Sequence, residues 1–205
     1  PPRTLADAIR QGEETAEHER QRLGLRDAPL PELADLCAAQ GVPVFAFVLP
    51  DGLAGLSISH ASVNRALVVN ATHDAVRQRL AIAHGYAHVV CEPMGTIRAC
   101  TKANANELIE RRAAAFATAF LLPGSGVVDT VRSLGKGQPS RQVQWIFDSA
   151  NERPVRVEER SGPGSQAITY LDVAWIARRF GAGYRLTASR LLGQGLITEA
   201  DNTRL

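Results

Sequence analysis

Methionine is almost missing from this chain, with Met94 the only one in 205 residues. Cysteine is scarce as well. Cys37, Cys91 and Cys100 are the only three, and no two stand at Cys-x-x-Cys spacing, which excludes a disulfide scaffold and a paired-cysteine zinc or redox motif. No apolar run approaches the roughly 18 residues that a membrane-spanning helix needs. Neither end carries a basic segment followed by an apolar stretch, so no signal peptide is expected. These absences point to the reducing cytoplasm. The chain opens at Pro1 without an initiator, and the expectation is that something preceded it.

What remains is the composition of an ordinary globular protein, 45% hydrophobic and 21% charged, long enough for one large domain or a main domain with a satellite. The net charge of +2 is unevenly spread. Residues 1–130 hold 12 Lys and Arg against 14 Asp and Glu, whereas residues 131–205 hold 11 against 7. The basic C-terminal part is either a solvated surface or one that meets an acidic partner such as nucleic acid.

Residues 4–23 are polar with sparse apolar positions and read as a solvent-exposed helix. Residues 31–40 read as a short helix, with Pro31 in its first turn and Gly41 just past its end. The texture then changes to β-branched and aromatic residues over 42–49, 55–59 and 65–70, which predicts three strands in a small antiparallel sheet. Residues 76–91 form a long helical pattern that Glu92-Pro93 ends. The stretch 95–104 reads as irregular, and 107–122 as a second strong helix stopped by Pro123-Gly124. From 124 to 165 the chain is rich in loop residues around possible strands at 142–147 and 155–158. Two short helices follow at 170–180 and 184–192, joined by Gly181-Ala182-Gly183.

Chemistry concentrates in the long helix. His84 and His88 stand at i and i+4 and project from one face, so both imidazoles can reach one tetrahedral metal ion. Their face is otherwise apolar, which leaves unpaired rings in need of partners. The next helix brings Glu107 and Glu110 in its first turns, and either carboxylate completes a three-ligand site with a fourth position open. Tyr86 points away from the pair and reads as core. Cys91 lies close to the histidine face, where it reads as a small buried hydrophobe before a soft ligand.

The run Arg79-Leu-Ala-Ile-Ala-His84-Gly-Tyr-Ala-His88, followed by Glu110-Arg-Arg-Ala-Ala-Ala-Phe116 and on to Pro123, resembles the ImmA/IrrE family of zinc metallopeptidases. Gly55-Leu-Ser57, the strand ending at Asn70 and the late Gly195-Leu-Ile197 look like that family too, so the likeness runs from about residue 30 to 198. The resemblance implies Zn²⁺ held by His84, His88 and Glu110, with Glu107 the alternative third ligand. It implies a protein substrate as well, typically a helix-turn-helix repressor whose cleavage switches on genes in phage immunity, mobile-element transfer or the response to DNA damage.

One departure stands out. The family's His-Glu-x-x-His motif uses the glutamate beside the first histidine as general base, and this chain has Gly85 there. Glycine inside a helix costs roughly 0.8–1.0 kcal/mol relative to alanine, so helix propensity does not account for it. Three explanations stand: a pseudopeptidase that keeps the metal geometry to bind a partner or sense metal, an inactivating substitution, or rescue by another carboxylate. Glu92 is the candidate for rescue. It lies two helical turns, about 11 Å of rise, beyond His84, which suits support of a ligand better than contact with the attacking water.

The C-terminal helix pair has the outline of a helix-turn-helix, with Arg178, Arg179, Arg185 and Arg190 available to phosphates. The expected fold is therefore α+β. A helix or linker over residues 1–28 precedes a zincin-like core over 29–130, and a loop-rich connection with a helix-turn-helix-like subdomain fills 131–205. The expected function is that of an ImmA/IrrE-type metallopeptidase regulator that recognises or cleaves a repressor, weakened or inactive because of Gly85. The alternative is a DNA-binding regulator whose peptidase-like core senses metal or a ligand.

Overall fold

Thr4 starts the first helix, its hydroxyl accepting from the Asp7 amide, and α1 runs Leu5–Arg22 in the computed structural model, which describes residues 1–62, 64–137, 141–148, 153–160 and 166–205. One face of α1 is not solvent-exposed, contrary to the reading of its sparse apolar positions. Ala8, Gly12, Ala16, Glu19 and Arg20 are buried on it. The stripe is small rather than apolar, so its partner comes very close. A Cβ on Gly12 would lie 2.3 Å from the Arg112 carbonyl oxygen of the helix opposite. Arg20 then fastens the end of α1 by donating to the carbonyls of Arg26, Ala28 and Phe120.

After α2 (Leu33–Ala39) come β1 (Val44–Phe47), β2 (Leu53–His60) and β3 (Asn64–Asn70). The three strands form, but not as an antiparallel meander. β3 inserts between β1 and β2 and runs parallel to β1, and the sheet order is β1-β3-β2-β4. Asn70 shows why this order holds. Its buried carboxamide accepts from the Leu49 amide and donates to the carbonyls of Leu49 and Leu53, which ties the β1–β2 link across the end of β3.

β4 (Thr96–Thr101) occupies the stretch expected to be irregular. Its alternation is inverted, with Arg98 and Cys100 facing inward beside Ser57 and Gly55 while Ile97 and Ala99 face out. Polar residues toward the helices hide the usual apolar-in pattern of a half-buried strand. The outward face of the sheet leaves Phe45, Phe47 and Ile97 exposed at 47%, 57% and 61%.

The two motif helices form as expected, α3 at Ala75–Cys91 and α4 at Leu108–Leu121. Asp74 caps α3 by accepting from the Arg77 amide. α5 (Gly124–Ser133) follows at once, in a stretch whose glycines read as loop. Gly126 is required there by packing, since a Cβ on it would lie 2.3 Å from the Asp27 carbonyl oxygen. β5 (Arg141–Asp148) and β6 (Arg153–Arg160) pair with each other. α6 (Tyr170–Phe180) and α7 (Tyr184–Gly193) are linked through Gly181, whose φ of 63° suits a residue without a side chain. A short α8 (Glu199–Arg204) ends the chain. One core joins α1 to α7 around Phe116, Phe120, Ile176, Phe180 and Leu191. The architecture is α+β. No single helix among the described residues is long and apolar enough to cross a membrane.

Candidate metal centre

Four side chains from three elements converge beneath the sheet. α3 supplies His84 and His88, β4 supplies Cys100 and α4 supplies Glu110, and their ligand-type atoms all lie within 4.8 Å of one another. Among the described residues this is the one group of three or more His, Cys, Asp or Glu with such spacing. The helical offset of four does for the histidines what the sequence implies, placing the two Nε2 atoms 3.2 Å apart. Glu110 Oε2 is 2.9 Å from His84 Nε2, and Glu110 Oε1 is 3.4 Å from His88 Nε2.

The surroundings fit a cation. The two Nε2 atoms can share one proton between them, or both can offer lone pairs to one ion. Glu110 is 3% exposed, and its Oε1 has no hydrogen-bond partner. An unsatisfied buried acceptor costs about 1–3 kcal/mol, and more when charged, so a native fold keeps one only for a reason. Metal coordination is such a reason.

The proton equilibria carry the same mark. Burial works against the charged form of His88, but contacts with Cys100, Glu110 and Glu92 overturn it and push the imidazole up to about 10. Burial would raise Glu110, yet the two histidines hold it down at about 2. Burial likewise opposes ionisation of Cys100, and the same two rings draw its thiol below the ordinary value. The pocket thus favours negative charge on the sulfur and the carboxylate and positive charge on the two imidazoles.

A second layer holds His88 in place. Its Nδ1 lies 2.6 Å from Glu92 Oε1, Arg98 Nε donates to Glu92 Oε2 at 2.9 Å, and Arg112 approaches Glu92 at 3.6 Å. In the neutral ring, a proton kept on Nδ1 by Glu92 leaves the His88 Nε2 lone pair facing the group, the tautomer a metal needs. Glu92 is therefore a partner of His88 and lies outside the group of four.

Gly85 has no side chain to add, and a buried leucine stands close to it. A Cβ there would lie 2.9 Å from Leu67 Cδ2, and Leu67 is fully buried. Tyr86 turns away into the core as expected, packs against Phe116 and Phe120, and donates to Glu19 Oε1 at 2.5 Å.

Other residues singled out from the sequence lie elsewhere. Glu107 is exposed at the start of α4 and is not in the group, and Cys91 is half-buried outside it. Sequence reasoning passed over Cys100. Its signal was the alternation of Thr96-Ile-Arg-Ala-Cys-Thr101, legible only once the strand is recognised. In the C-terminal pair, Arg178, Arg179 and Arg185 are exposed, with Arg179 lying over the Trp175 ring at 5.6 Å. Arg190 is already engaged, donating to the Leu122 carbonyl at 3.1 Å and to Glu13, so it holds α7 to α4 and α1.

Residues 37–130 match the Peptidase_M78 family model, described as the IrrE N-terminal-like domain. That stretch holds the whole sheet, both motif helices and all four converging side chains. The α+β core is consistent with the zincin-like arrangement of such metallopeptidases, and the match supports the ImmA/IrrE family for this part of the chain. No curated protein matches the chain at a significant level.

Proposed function

We propose that this chain is a metallopeptidase-type regulator that holds Zn²⁺ on His84, His88 and Glu110, recognises a helix-turn-helix transcriptional repressor, and hydrolyses it weakly or not at all. The observation that carries the reading is the pairing of a gathered metal-type site with Gly85 and Leu67. His84, His88 and Glu110 stand with Cys100 within 4.8 Å of one another, while position 85 carries no side chain that could take a proton and a Cβ there would press on Leu67 Cδ2.

A zinc ion held there would supply Lewis-acid polarisation. The rest falls to the protein. Glu92, itself fixed by Arg98 and Arg112, fixes the His88 ring through Nδ1. Glu110 balances charge between the two rings. No ionisable side chain follows His84, and loss of a general base typically removes a factor of about 10²–10⁴ in rate. A macromolecular partner is supported by the open apolar sheet face with Phe45, Phe47 and Ile97. The repressor as partner class rests on the resemblance of the motif helices to the ImmA/IrrE family.

The test combines metal analysis with binding and cleavage assays against a set of candidate helix-turn-helix repressors. The expected result is about one zinc per chain, saturable binding of one repressor and no discrete product. An ordered protein that takes up no metal, or one that binds none of the set, overturns the reading. Rapid cleavage overturns its inactive half. Salt-dependent retention of DNA that weakens on Arg185→Ala, with no repressor bound, would favour the DNA-binding alternative instead.

A further inference from the structure

We infer that Cys100 is the fourth ligand of the metal centre and closes it, making the centre a structural staple between the edge strand and the two motif helices. The inference rests on the metal-holding reading above and goes beyond it, because a centre with four protein ligands has no position left for water.

Geometry comes first. Zinc bonds of about 2.0–2.1 Å to nitrogen and oxygen and about 2.3 Å to sulfur make a tetrahedron with edges of roughly 3.3–3.6 Å. His84 Nε2, His88 Nε2 and Glu110 already stand 2.9–3.4 Å apart. Cys100 completes a set in which no pair of ligand-type atoms exceeds 4.8 Å, so a side-chain adjustment of about 1 Å brings all four to bonding distance.

Charge points the same way. Two neutral imidazoles, one carboxylate and a divalent ion leave a surplus of one positive charge, in a pocket that Arg98 and Arg112 already border. A thiolate removes that surplus, and buried charge is tolerated when it is balanced. The inverted strand gives a third argument. β4 turns Arg98 and Cys100 inward, where an edge strand ordinarily places apolar residues; Arg98 has Glu92, and Cys100 stands within 4.8 Å of the two histidines.

Closure also makes sense of Gly85. A metal with four protein ligands belongs to the structural class of zinc site. The open position and the general base are two separate requirements for hydrolysis, and this chain dispenses with both at one place. What the metal then does is join β4 to α3 and α4.

The test is a titration of the metal-free 205-residue chain with Co(II) alone. One equivalent should give a thiolate-to-cobalt charge-transfer band together with the absorption of tetrahedral cobalt. Cys100→Ser should abolish that band and weaken binding by roughly tenfold or more, while Cys91→Ser changes neither. A band that survives Cys100→Ser, or cobalt bound by the natural chain without a thiolate band, overturns the inference. If Cys100→Ser does not fold, alkylation of the natural chain decides. One equivalent of zinc should slow iodoacetamide labelling of Cys100 by roughly tenfold or more, reversibly with a chelator, and equal rates overturn it. Metal bound without the thiolate leaves the proposed function standing on three ligands. A thiolate band without repressor binding removes the proposed function and leaves the closed centre. No metal uptake removes both.

Discussion

Leu67 on β3 stands against Gly85 on α3, with 2.9 Å between Leu67 Cδ2 and a Cβ built on Gly85. Gly85→Glu alone should therefore overpack the core and lose about 1–3 kcal/mol of stability in denaturant unfolding. Gly85→Glu with Leu67→Ala should recover part of that loss. Hydrolysis of a bound repressor should remain absent in the first variant, and a restored glutamate that is both active and as stable as the parent would contradict this packing relationship.

Glu92 orients His88 without belonging to the group that faces the metal. Glu92→Gln should lower zinc affinity by roughly 10–100-fold, as losses of such supporting carboxylates do, with the fold retained. Competition with a chromophoric chelator measures it. An unchanged affinity would mean that the ring is held by the helix alone.

Tyr86 and Glu19 link α3 to α1 through a buried hydrogen bond, and Arg22 pairs with the same carboxylate at 2.6 Å. Tyr86→Phe should cost about 1–2 kcal/mol, since the carboxylate loses a donor it cannot replace with water. Burial alone would raise the Glu19 carboxyl, but Arg22 and Tyr86 outweigh it and lower the value below the ordinary 4.5. A depressed carboxyl contributes stability that is present above the unfolded value and lost as pH falls through the folded one. Thermal unfolding of Glu19→Gln should thus lie below the natural chain at neutral pH and converge with it in acid below pH 4.5.

Gly12 sets the distance between α1 and α4. An exposed helical glycine gains about 0.5–1 kcal/mol on replacement by alanine. Here Gly12→Ala should instead destabilise by about 3 kcal/mol, because the new methyl would meet the Arg112 carbonyl oxygen at 2.3 Å and the Phe116 nitrogen at 2.8 Å. Urea unfolding measures the sign, and a stabilised variant would refute the close helix contact.

Much of the candidate site is legible in the amino-acid sequence. The i, i+4 histidines and a glutamate on the following helix are local patterns, fixed by the 3.6-residue repeat and by helix ends that Asp74, Pro93 and Pro123 mark in the chain. Glu107 and Glu110 stayed equivalent at that level because both lie near the start of one helix. Their rotation about its axis, set by packing, buries Glu110 and leaves Glu107 in solvent.

By itself, then, the amino-acid sequence determined the helices other than α5 and α8, the three early strands, the histidine pair and the glycine beside it, since each depends on neighbours within a few residues. Tertiary structure decided what depends on distance. It placed β3 between β1 and β2, which no short link specifies, and it buried a face of α1 whose small residues carry no apolar signal. It also turned Cys100 toward the histidines from a strand whose inward side is polar. A periodic pattern reveals an element when its buried face is apolar; where chemistry takes over that face, only the fold shows it.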